Sequence, residues 1–479
     1  MRDISKTAYR WLFSNLHYIL TPLIIIVASV YFQASLAFTV VLIVWAIMFL
    51  YSVCHLKENS CLFCFLASLF VFLLGREVCY TFFGLERYYL YLVPYDDFAF
   101  TLIAVSLIFI PLGMKLEKVP RVLTKGPQKP WTGEKYQLVS KIVFYICWIV
   151  AIAETAIRVI IIRRIGYAES YTADSVATIS LGPLPYISGF TSVAVCLFLA
   201  TKPKKISALI TLICYEVYGF TTLFTGHRFT FISITLFVII YFFIRHNTDG
   251  GWVKKWHIIV GICAVPVLLI SMAAIDNIRS GSGFKIGGVL DGIRSFLDQQ
   301  GGSINVIKRI KFYEKEISDL FLCSFDNLRS CLSENAVIRF LFGVKTYSGN
   351  SVEHALYGNS LAHRLSLYEY GDYYLQGHGV GSSYIAELYH DFNIFGLIVG
   401  NIFYGYLIKR ISNIKFTHYF ADALVLMTVN GIILAPRGNF DGFVSEIFGI
   451  YSLIGIFAVW LVSNIISQRS SFYELKREN

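Results

Sequence analysis

Long apolar runs separated by short polar stretches recur along the whole chain. Each run holds about 18 residues or more, enough for a helix to cross a hydrocarbon core of about 30 Å. A helix satisfies its own backbone hydrogen bonds, and the alternating pattern of barrel strands is absent from the sequence. The pattern therefore predicts an all-α polytopic membrane protein. Twelve spans are expected, at residues 14–31, 35–54, 60–76, 97–114, 140–162, 185–201, 206–225, 229–245, 257–275, 392–408, 418–436 and 443–464.

Composition supports a membrane protein rather than a soluble one. Of the 479 residues, 56% are hydrophobic and 15% are charged, whereas a soluble domain carries roughly a quarter charged residues. The first apolar run is followed at once by a second, so a cleavable signal peptide is not expected. The net charge of +10 lies mainly in the loops between spans, which favours a topological role over binding to nucleic acid.

The distribution of basic residues predicts the orientation of the spans. On one side, the N-terminus, the loops and the C-terminus hold 22 Lys or Arg, whereas the short loops on the other side hold six. Because cytoplasmic loops carry the excess of positive charge, both termini are expected in the cytoplasm.

The six basic residues on the outer side are all arginines. An arginine offers a planar fork that binds phosphate oxygens through two nitrogens and stays charged. The alternative is that each arginine only reaches toward lipid headgroups. With Arg158 near the outer end of its span, the set is Arg76, Arg87, Arg158, Arg163, Arg164, Arg228 and Arg437.

One outer loop, residues 276–391, is far longer than any other. Long loops often carry function. Several of its stretches have apolar residues at helical spacing, which predicts short amphipathic helices on the outer membrane surface. The chain is thus divided into an N-terminal membrane bundle (1–275), this loop (276–391) and a C-terminal membrane part (392–479).

Cysteines leave two alternatives open. Cys323 and Cys331 both lie in the large loop, where they could form a disulfide in an oxidising compartment or remain two packed thiols. Cys61 and Cys64 lie in an apolar span with no second pair, which favours helix packing over a zinc or redox site.

The stretch "GHGVGSSYIAELYHDFNIFG" marks the entry into the tenth span. Its glycines precede Ser382 and Ser383, either of which can cap the helix that follows. Glu387, His390 and Asp391 then share one face of that helix. A mobile loop before a capped membrane helix would explain the glycines. Three ionisable groups at the lipid boundary are costly, however, and indicate a hydrated crevice.

Further arginines are expected at the same level. Arg228 lies in "TGHRFT", Arg279 opens the large loop, Arg364 lies in "LAHRLSLYEYGDYY", and Arg437 follows a span in "APRGNFDGF". A crevice lined with arginines and backed by Glu or His suits phosphoryl or pyrophosphate chemistry.

These features together resemble the O-antigen polymerase family, Wzy. The most specific local match is "GSSxxAExxxxFxxxG", from Gly381 to Gly396, and "TGHRF" resembles a short arginine-bearing outer loop of the family. The span pattern and the single large, late outer loop extend the resemblance over the whole chain.

The resemblance implies a glycosyltransferase with a helical, C-type glycosyltransferase-like membrane fold in the bacterial inner membrane. The growing glycan would pass from undecaprenyl pyrophosphate to a new undecaprenyl-pyrophosphate-linked repeat unit at the periplasmic face. No nucleotide sugar, metal or other cofactor would be needed. A chain-length regulator is an expected partner of this pathway.

The site hypothesis follows from the chemistry of pyrophosphate departure. Negative charge develops on the leaving group, and arginines can stabilise it. The primary candidates are Arg228, Arg279, Arg364 and Arg437, followed by Arg76, Arg158 and Arg163. His378 or Glu387 is the expected general base for the acceptor hydroxyl, ahead of His390 and Asp391.

Two other functions remain open at this point. An O-antigen ligase would use a similar loop and arginines but transfer the glycan to lipid A-core. A lipid-linked oligosaccharide flippase belongs to another class, and transporters usually show two related halves with charges inside the spans. The "AE" motif favours the polymerase, and the chain shows no internal symmetry.

Overall fold

A computed structural model provides the fold of the chain. It describes residues 2–117, 133–166, 169–172, 175, 181–226, 228–254, 256–257, 259, 261 and 289–478. Apart from an isolated bridge between Thr172 and Asn350, these residues form helices, turns and loops. The described part of the chain is therefore all-helical, as predicted.

The membrane part consists of long apolar helices. They are α1 (Arg2–Tyr31), α2 (Leu36–Cys54), α3 (Ser60–Leu69), α4 (Gly75–Phe83), α5 (Asp96–Leu116), α6 (Gly133–Ile165), α7 (Leu184–Ala200), α8 (Lys205–Thr222), α9 (Arg228–Asp249), α17 (Tyr384–Ser412), α18 (Tyr419–Leu434) and α20 (Ile450–Glu478). A π-helical turn, Phe70–Leu74, joins α3 to α4 into one continuous helical segment.

Shorter helices follow one another in the large loop and before the last span. They are α10 (Val289–Gln300), α11 (Ile304–Phe312), α12 (Asp326–Ser333), α13 (Ala336–Phe342), α14 (Val352–Tyr357), α15 (Leu361–Tyr370), α16 (Asp372–Leu375) and α19 (Val444–Phe448). The predicted short helices of the large loop are thus present.

Within the described ranges, nine helical segments are long and apolar enough to cross a membrane. Two shorter apolar segments, Leu16–Tyr31 and Leu184–Ala200, lie where further spans were predicted. The predicted span 257–275 falls almost entirely outside the described residues. The protein is therefore a multi-pass membrane protein, and the number of twelve spans stays a prediction.

Hydrogen bonds between helix ends define the two faces of the bundle. Asn247 donates to the Lys57 carbonyl at 2.5 Å, and Asn413 donates to Glu117 at 2.6 Å. These residues belong to one face. The helices of the large loop all lie toward the other end of the bundle, which is called the loop face below.

The closest helix packing lies between α5 and α17. A Cβ atom added at Gly113 would lie 1.9 Å from the Ile402 carbonyl oxygen, and one added at Gly405 would lie 2.0 Å from the Ile110 oxygen. The two backbones therefore touch at these glycines, in the manner of small-residue contacts between membrane helices. This contact places the start of α17, with its polar motif, beside the start of α5 at the loop face.

Two predicted spans have different boundaries in the structure. Helix α17 begins at Tyr384 and is interrupted at Asn393, whose φ is 53°. The predicted span 443–464 is divided, because Gly449 has an extended ψ of 136° between α19 and α20. In both places the backbone leaves the helical conformation within an apolar run, which hydrophobicity alone does not reveal.

Candidate functional site

Glu387 occupies the centre of the polar motif in α17. Its side chain is 1% exposed. One carboxylate oxygen accepts a hydrogen bond from the Ser382 hydroxyl at 2.6 Å, and the other accepts from the Phe440 backbone amide at 2.8 Å. Glu387 therefore joins the glycine-rich loop to the loop that follows α18. Ser383 occupies the N-cap position without making a side-chain capping bond.

Asp391 and His390, one turn further along α17, hold the large loop. Asp391 accepts hydrogen bonds from the backbone amides of Cys323 and Ser324, at 3.2 Å and 2.8 Å. His390 Nε2 lies 3.2 Å from the Leu320 carbonyl. These contacts fix the turn that leads into α12.

Asp441 fastens the same region from the other side. It accepts hydrogen bonds from the Asn327 side chain at 2.7 Å and the Leu328 amide at 2.8 Å. Burial raises the pKa of Asp441, although these two hydrogen bonds act in the opposite direction. Asp391 of α17 and Asp441 of the loop after α18 therefore both hold the start of α12 through hydrogen bonds.

Two of the predicted arginines meet at the C-terminal end of α10. Arg76 Nε donates to the Asp298 carbonyl at 2.6 Å and lies 3.2 Å from the Asp298 carboxylate. Gly301 permits this approach, because a Cβ there would lie 2.5 Å from the Arg76 Cβ. A helix C-terminus carries partial negative charge and favours a cation.

Arg437 approaches the same turn from the end of α18. Its guanidinium hydrogen-bonds the Gln300 side chain and lies 5.4 Å from the ring centre of Phe72. The Arg437 residue is exposed at the loop face. Phe72 belongs to the π-helical turn just before Arg76, so Arg76 and Arg437 lie on adjoining elements. Such π-turns often occur at functional sites.

A third arginine, Arg294, was missed by the sequence analysis. It lies on α10, one turn before Asp298, with its guanidinium 4.9 Å from the ring centre of Phe83. Its Nε is buried without a hydrogen-bond partner among the described residues. The helical spacing of Arg294 and Asp298 in "GIRSFLDQQ" was a signal that could have found it.

The backbone of Arg228 begins α9, and its side chain is not described. Phe231 of the same first turn packs with Phe296 of α10. The start of α9 therefore adjoins the helix whose end contacts Arg76 and Arg437. Arg279 lies outside the described residues.

Arg364 lies in a different environment. It is 4% exposed, and its nitrogens donate to the carbonyls of Ala355 and Leu356 and to Asp319, at 2.8, 2.7 and 2.7 Å. Its guanidinium thus closes the C-terminal end of α14. The structure does not bring Arg364 to Arg76 and Arg437 through any described contact.

Arg158 and Arg163 lie on α6, in another part of the loop face. Arg158 is paired with Glu154, whose second oxygen accepts from the Ser188 hydroxyl at 2.7 Å. Arg163 is exposed in the last turn of α6.

His378 precedes the glycine-rich loop that leads to α17. Its ring stacks on Tyr373 with 3.9 Å between ring centres, and the Asn350 side chain donates to its backbone carbonyl at 2.9 Å. The His378 residue is half-buried. It therefore has a fixed ring plane and remains partly accessible from the loop face.

A buried ion network beside α11 was also missed. Lys308 is 3% exposed, and its ammonium lies 2.5 Å from Glu77 and 2.6 Å from Asp96. Arg87 pairs with the same two carboxylates. Arg309, the next residue after Lys308, lies 2.6 Å from Glu369. The paired bases in "VIKRIK" were the available signal, but their partners lie far away in sequence.

One set of side chains could hold a metal ion by proximity. The ligand atoms of Cys323, His390 and Asp391 lie within 4.8 Å of one another. The amide hydrogen bonds to Asp391 already give it a supporting role. Cys323 and Cys331 are separate free thiols in this structure, and burial, together with nearby carboxylates, raises the pKa of Cys323.

Comparison with known proteins identifies one matching family. The model of the family described as O-antigen polysaccharide polymerase Wzy matches residues 13–470, nearly the whole chain. No curated protein and no solved structure is significantly similar to the chain.

Proposed function

The chain belongs to the O-antigen polysaccharide polymerase Wzy family, and from this premise we propose the reaction that it catalyses. The growing glycan is transferred from undecaprenyl pyrophosphate onto an undecaprenyl-pyrophosphate-linked repeat unit. The loop face is the periplasmic face of the bacterial inner membrane, and both termini are cytoplasmic. Besides the family assignment, the observation that supports this proposal is that Arg76 and Arg437 both contact the C-terminal end of α10.

The proposed reaction exchanges one glycosidic bond for another. The bond between the donor's anomeric carbon and the pyrophosphate oxygen breaks, and its electron pair leaves with undecaprenyl pyrophosphate. A hydroxyl of the terminal sugar on the acceptor forms the new bond to that carbon and loses its proton to a base. The donor's own sugar–phosphate bond supplies the driving force.

Arg76 and Arg437 would stabilise the departing pyrophosphate. Asp298 and Gln300 of α10 contact these two side chains. A pyrophosphate carries more negative charge than one carboxylate, so it can compete for the guanidinium groups. Arg294 and Arg228, which lie along and beside α10, are the next candidates to contact the substrate.

His378 is the stronger of the two proposed bases. Its ring is held by Tyr373 and stays partly accessible, and a neutral imidazole can accept a proton near pH 7. Glu387 instead has both oxygens hydrogen-bonded within the protein. We therefore assign Glu387 a positioning role, in which it holds the loop of Arg437 against the glycine-rich loop.

We also propose a chain-length regulator as a partner of this polymerase, as the resemblance implied. The family match favours polymerisation over the ligase and flippase alternatives. Neither alternative gains support from a separate observation in the described structure.

The testing experiment is a lipopolysaccharide gel from the source strain with the gene deleted. We expect core bearing a single repeat unit, with the ladder of longer chains lost. A plasmid with the natural gene should restore the ladder. Arg437→Lys should leave mostly single-repeat core, because lysine lacks the planar fork. Arg329→Lys is the matched control, since Arg329 pairs with Asp326 and Glu334 at the surface of α12.

Each other outcome identifies a different function. Bare core with accumulation of long undecaprenyl-linked chains would indicate a ligase. Bare core with repeat units trapped in the cytoplasmic leaflet would indicate a flippase. A normal ladder from both Arg437→Lys and Arg76→Lys, at normal protein levels, would remove the proposed arginine site while leaving the polymerase assignment in place.

A further inference from the structure

An apolar groove runs along the membrane part between α6, α7 and α20. Its volume is about 450 Å³, and its lining includes Ile142, Cys147, Phe190, Ile454, Gly455 and Val462. The lining on α20 extends from Tyr451 to Ile466, which is about 22 Å at 1.5 Å per residue. The groove is thus long, narrow and apolar, and suits an extended hydrocarbon chain.

Polar groups begin where the groove reaches the loop face. The rings of Tyr186 and Tyr451 stack there with 4.1 Å between their centres. Beside them, Ser188 donates to Glu154 at 2.7 Å, and Glu154 pairs with Arg158. This end therefore changes from hydrocarbon lining to hydroxyl and charged groups, as the outer membrane interface requires.

Two arginines of α6 lie toward this end of the groove. Arg158 lies one turn beyond Glu154 and is partly exposed. Arg164 is exposed in the last turn of the same helix, about 15 Å beyond Glu154 along the helix axis. At about 100° per residue, Arg164 lies on the side of α6 that lines the groove. Positive charge thus lies where the groove meets the loop face.

Helix α13 carries apolar side chains on its exposed surface. Phe340 is 88% exposed and Phe342 is 72% exposed, and Val337 and Leu341 are exposed as well. In water such a patch would be unfavourable, whereas in the outer leaflet it would be buried in lipid. Helix α13 packs against α12, α12 packs against α19, and α19 packs against α20, so this patch lies on the loop face together with the start of α20.

We propose that this groove binds the polyprenyl chain of a lipid-linked oligosaccharide, with its pyrophosphate at Arg158 and Arg164. The inference rests on the proposed function and adds to it a binding site for one lipid carrier. An ordinary phospholipid also has a hydrocarbon tail, but its single phosphodiester carries less charge than a pyrophosphate. Two arginines at this end of the groove favour the pyrophosphate.

Photolabelling of the purified full-length protein in phosphatidylglycerol nanodiscs tests the site. The probe is undecaprenyl pyrophosphate with a diazirine in its chain, and the labelled residues are located by mass spectrometry of peptides. We expect labels on α6, α7 and α20 within the groove. Unlabelled undecaprenyl pyrophosphate should reduce labelling at least tenfold, whereas added phosphatidylglycerol should not. Labels elsewhere, or equal competition by phosphatidylglycerol, would overturn the proposal.

Substitutions separate the groove from the rest of the lipid-facing surface. Ala458 lines the groove and is exposed, so Ala458→Trp should fill the space and lower labelling about tenfold. Ile142→Trp fills it from α6 and serves if the first variant folds poorly. Leu461→Trp is the control, because Leu461 is exposed on α20 outside the lining. Equal labelling of all three variants would contradict binding of the polyprenyl chain in the groove.

The headgroup is tested by the double substitution Arg158→Gln and Arg164→Gln. We expect about tenfold weaker competition by undecaprenyl pyrophosphate, with little change in competition by uncharged undecaprenol. If both competitors weaken equally, the arginines do not bind the pyrophosphate. Polymerisation that persists without groove labelling would remove this inference alone, whereas correct labelling without polymerisation in the gel assay would remove the proposed reaction.

Discussion

Two groups of basic side chains on the loop face have different surroundings. Lys308 and Arg309 of α11 are each 3% exposed and paired with carboxylates, namely Glu77 and Asp96 for Lys308 and Glu369 for Arg309. Arg437, at the end of α18, is exposed and contacts an amide and an aromatic ring. The first group binds the large loop to the bundle. The second remains accessible to a ligand.

The difference shows that residue type alone does not identify a substrate-binding arginine. A buried charge must be paired, because desolvation is costly, and a paired buried charge is not available to a substrate. Arg309 and Arg364 satisfy the same chemical description as Arg437, yet both are buried in protein contacts. The comparison predicts that substitutions in the first group mainly change stability, whereas those in the second mainly change activity.

The largest expected loss of stability follows Lys308→Met. Glu77 and Asp96 would keep only Arg87 as a cationic partner, and breaking a buried pair costs up to about 3–5 kcal/mol. The thermal unfolding of the detergent-purified protein should occur at a much lower temperature. Lys311→Gln is the matched control, since Lys311 forms only a surface pair with Glu314. A Lys308→Met protein that unfolds like the natural protein would contradict the structural role of the network.

A smaller loss of stability is expected for Arg364→Lys. Lysine cannot reproduce the donors to Ala355, Leu356 and Asp319 at once, and buried carbonyls left without donors cost about 1–3 kcal/mol. Polymer formation per folded molecule should stay near normal. If activity is lost while the unfolding temperature is unchanged, Arg364 contacts the substrate and its assignment to the structural group is wrong.

The pH dependence of unfolding gives a third, smaller effect. Burial favours neutral Glu369, but hydrogen bonds from Arg309 and Tyr91 outweigh it, so the pKa of Glu369 is lowered. The ion pair therefore contributes its full stability above the ordinary glutamate pKa of about 4.5. That contribution is lost as the pH falls further, through the lower pKa of the folded state.

The unfolding temperature measured between pH 6 and pH 3 tests this contribution. Glu369→Gln should flatten the decline below pH 4.5, whereas Glu314→Gln, at an exposed pair, should keep the natural slope. Identical slopes in all three proteins would show that the Arg309–Glu369 pair does not set the acid sensitivity.

The smallest change in stability is expected for Arg437→Lys, within about 0.5 kcal/mol, as for other surface substitutions. Its activity should nevertheless fall by about tenfold or more, because a bidentate contact in the transition state is lost. Repeat-unit incorporation by the purified protein, divided by the folded fraction, measures this separation. A parallel fall in stability and activity would place Arg437 with the structural group.

Much of the fold could be predicted from the sequence because long apolar runs form helices in a membrane by themselves. Most described apolar helices lie at or near the predicted positions, and short helices occur in the predicted large loop. The breaks at Asn393 and Gly449 could not be predicted, since both lie inside apolar runs and depend on packing against neighbouring elements. The motif around Glu387 was found because three ionisable residues at a membrane boundary are unusual.

The roles of the individual charged residues were less predictable. Lys308 and Glu77 are 231 positions apart, so no local pattern indicates that they meet. Arg364 and Arg437 have similar sequence contexts, so the sequence does not distinguish their roles. Arg294 was not predicted as a site residue, because it lies in a stretch with the usual pattern of an amphipathic helix. Glu387 was predicted as a base, and only its contacts with Ser382 and Phe440 indicate a positioning role.

The sequence by itself determined the membrane class, the approximate positions of the apolar helices and the family. Each of these depends on local hydrophobicity, on charge distribution along the chain or on a contiguous motif. Tertiary structure alone decided which arginines are buried, which converge on α10, and which helices form the groove between α6, α7 and α20. Ion pairs and grooves form between residues that are distant in sequence, so they exist only once the helices have packed.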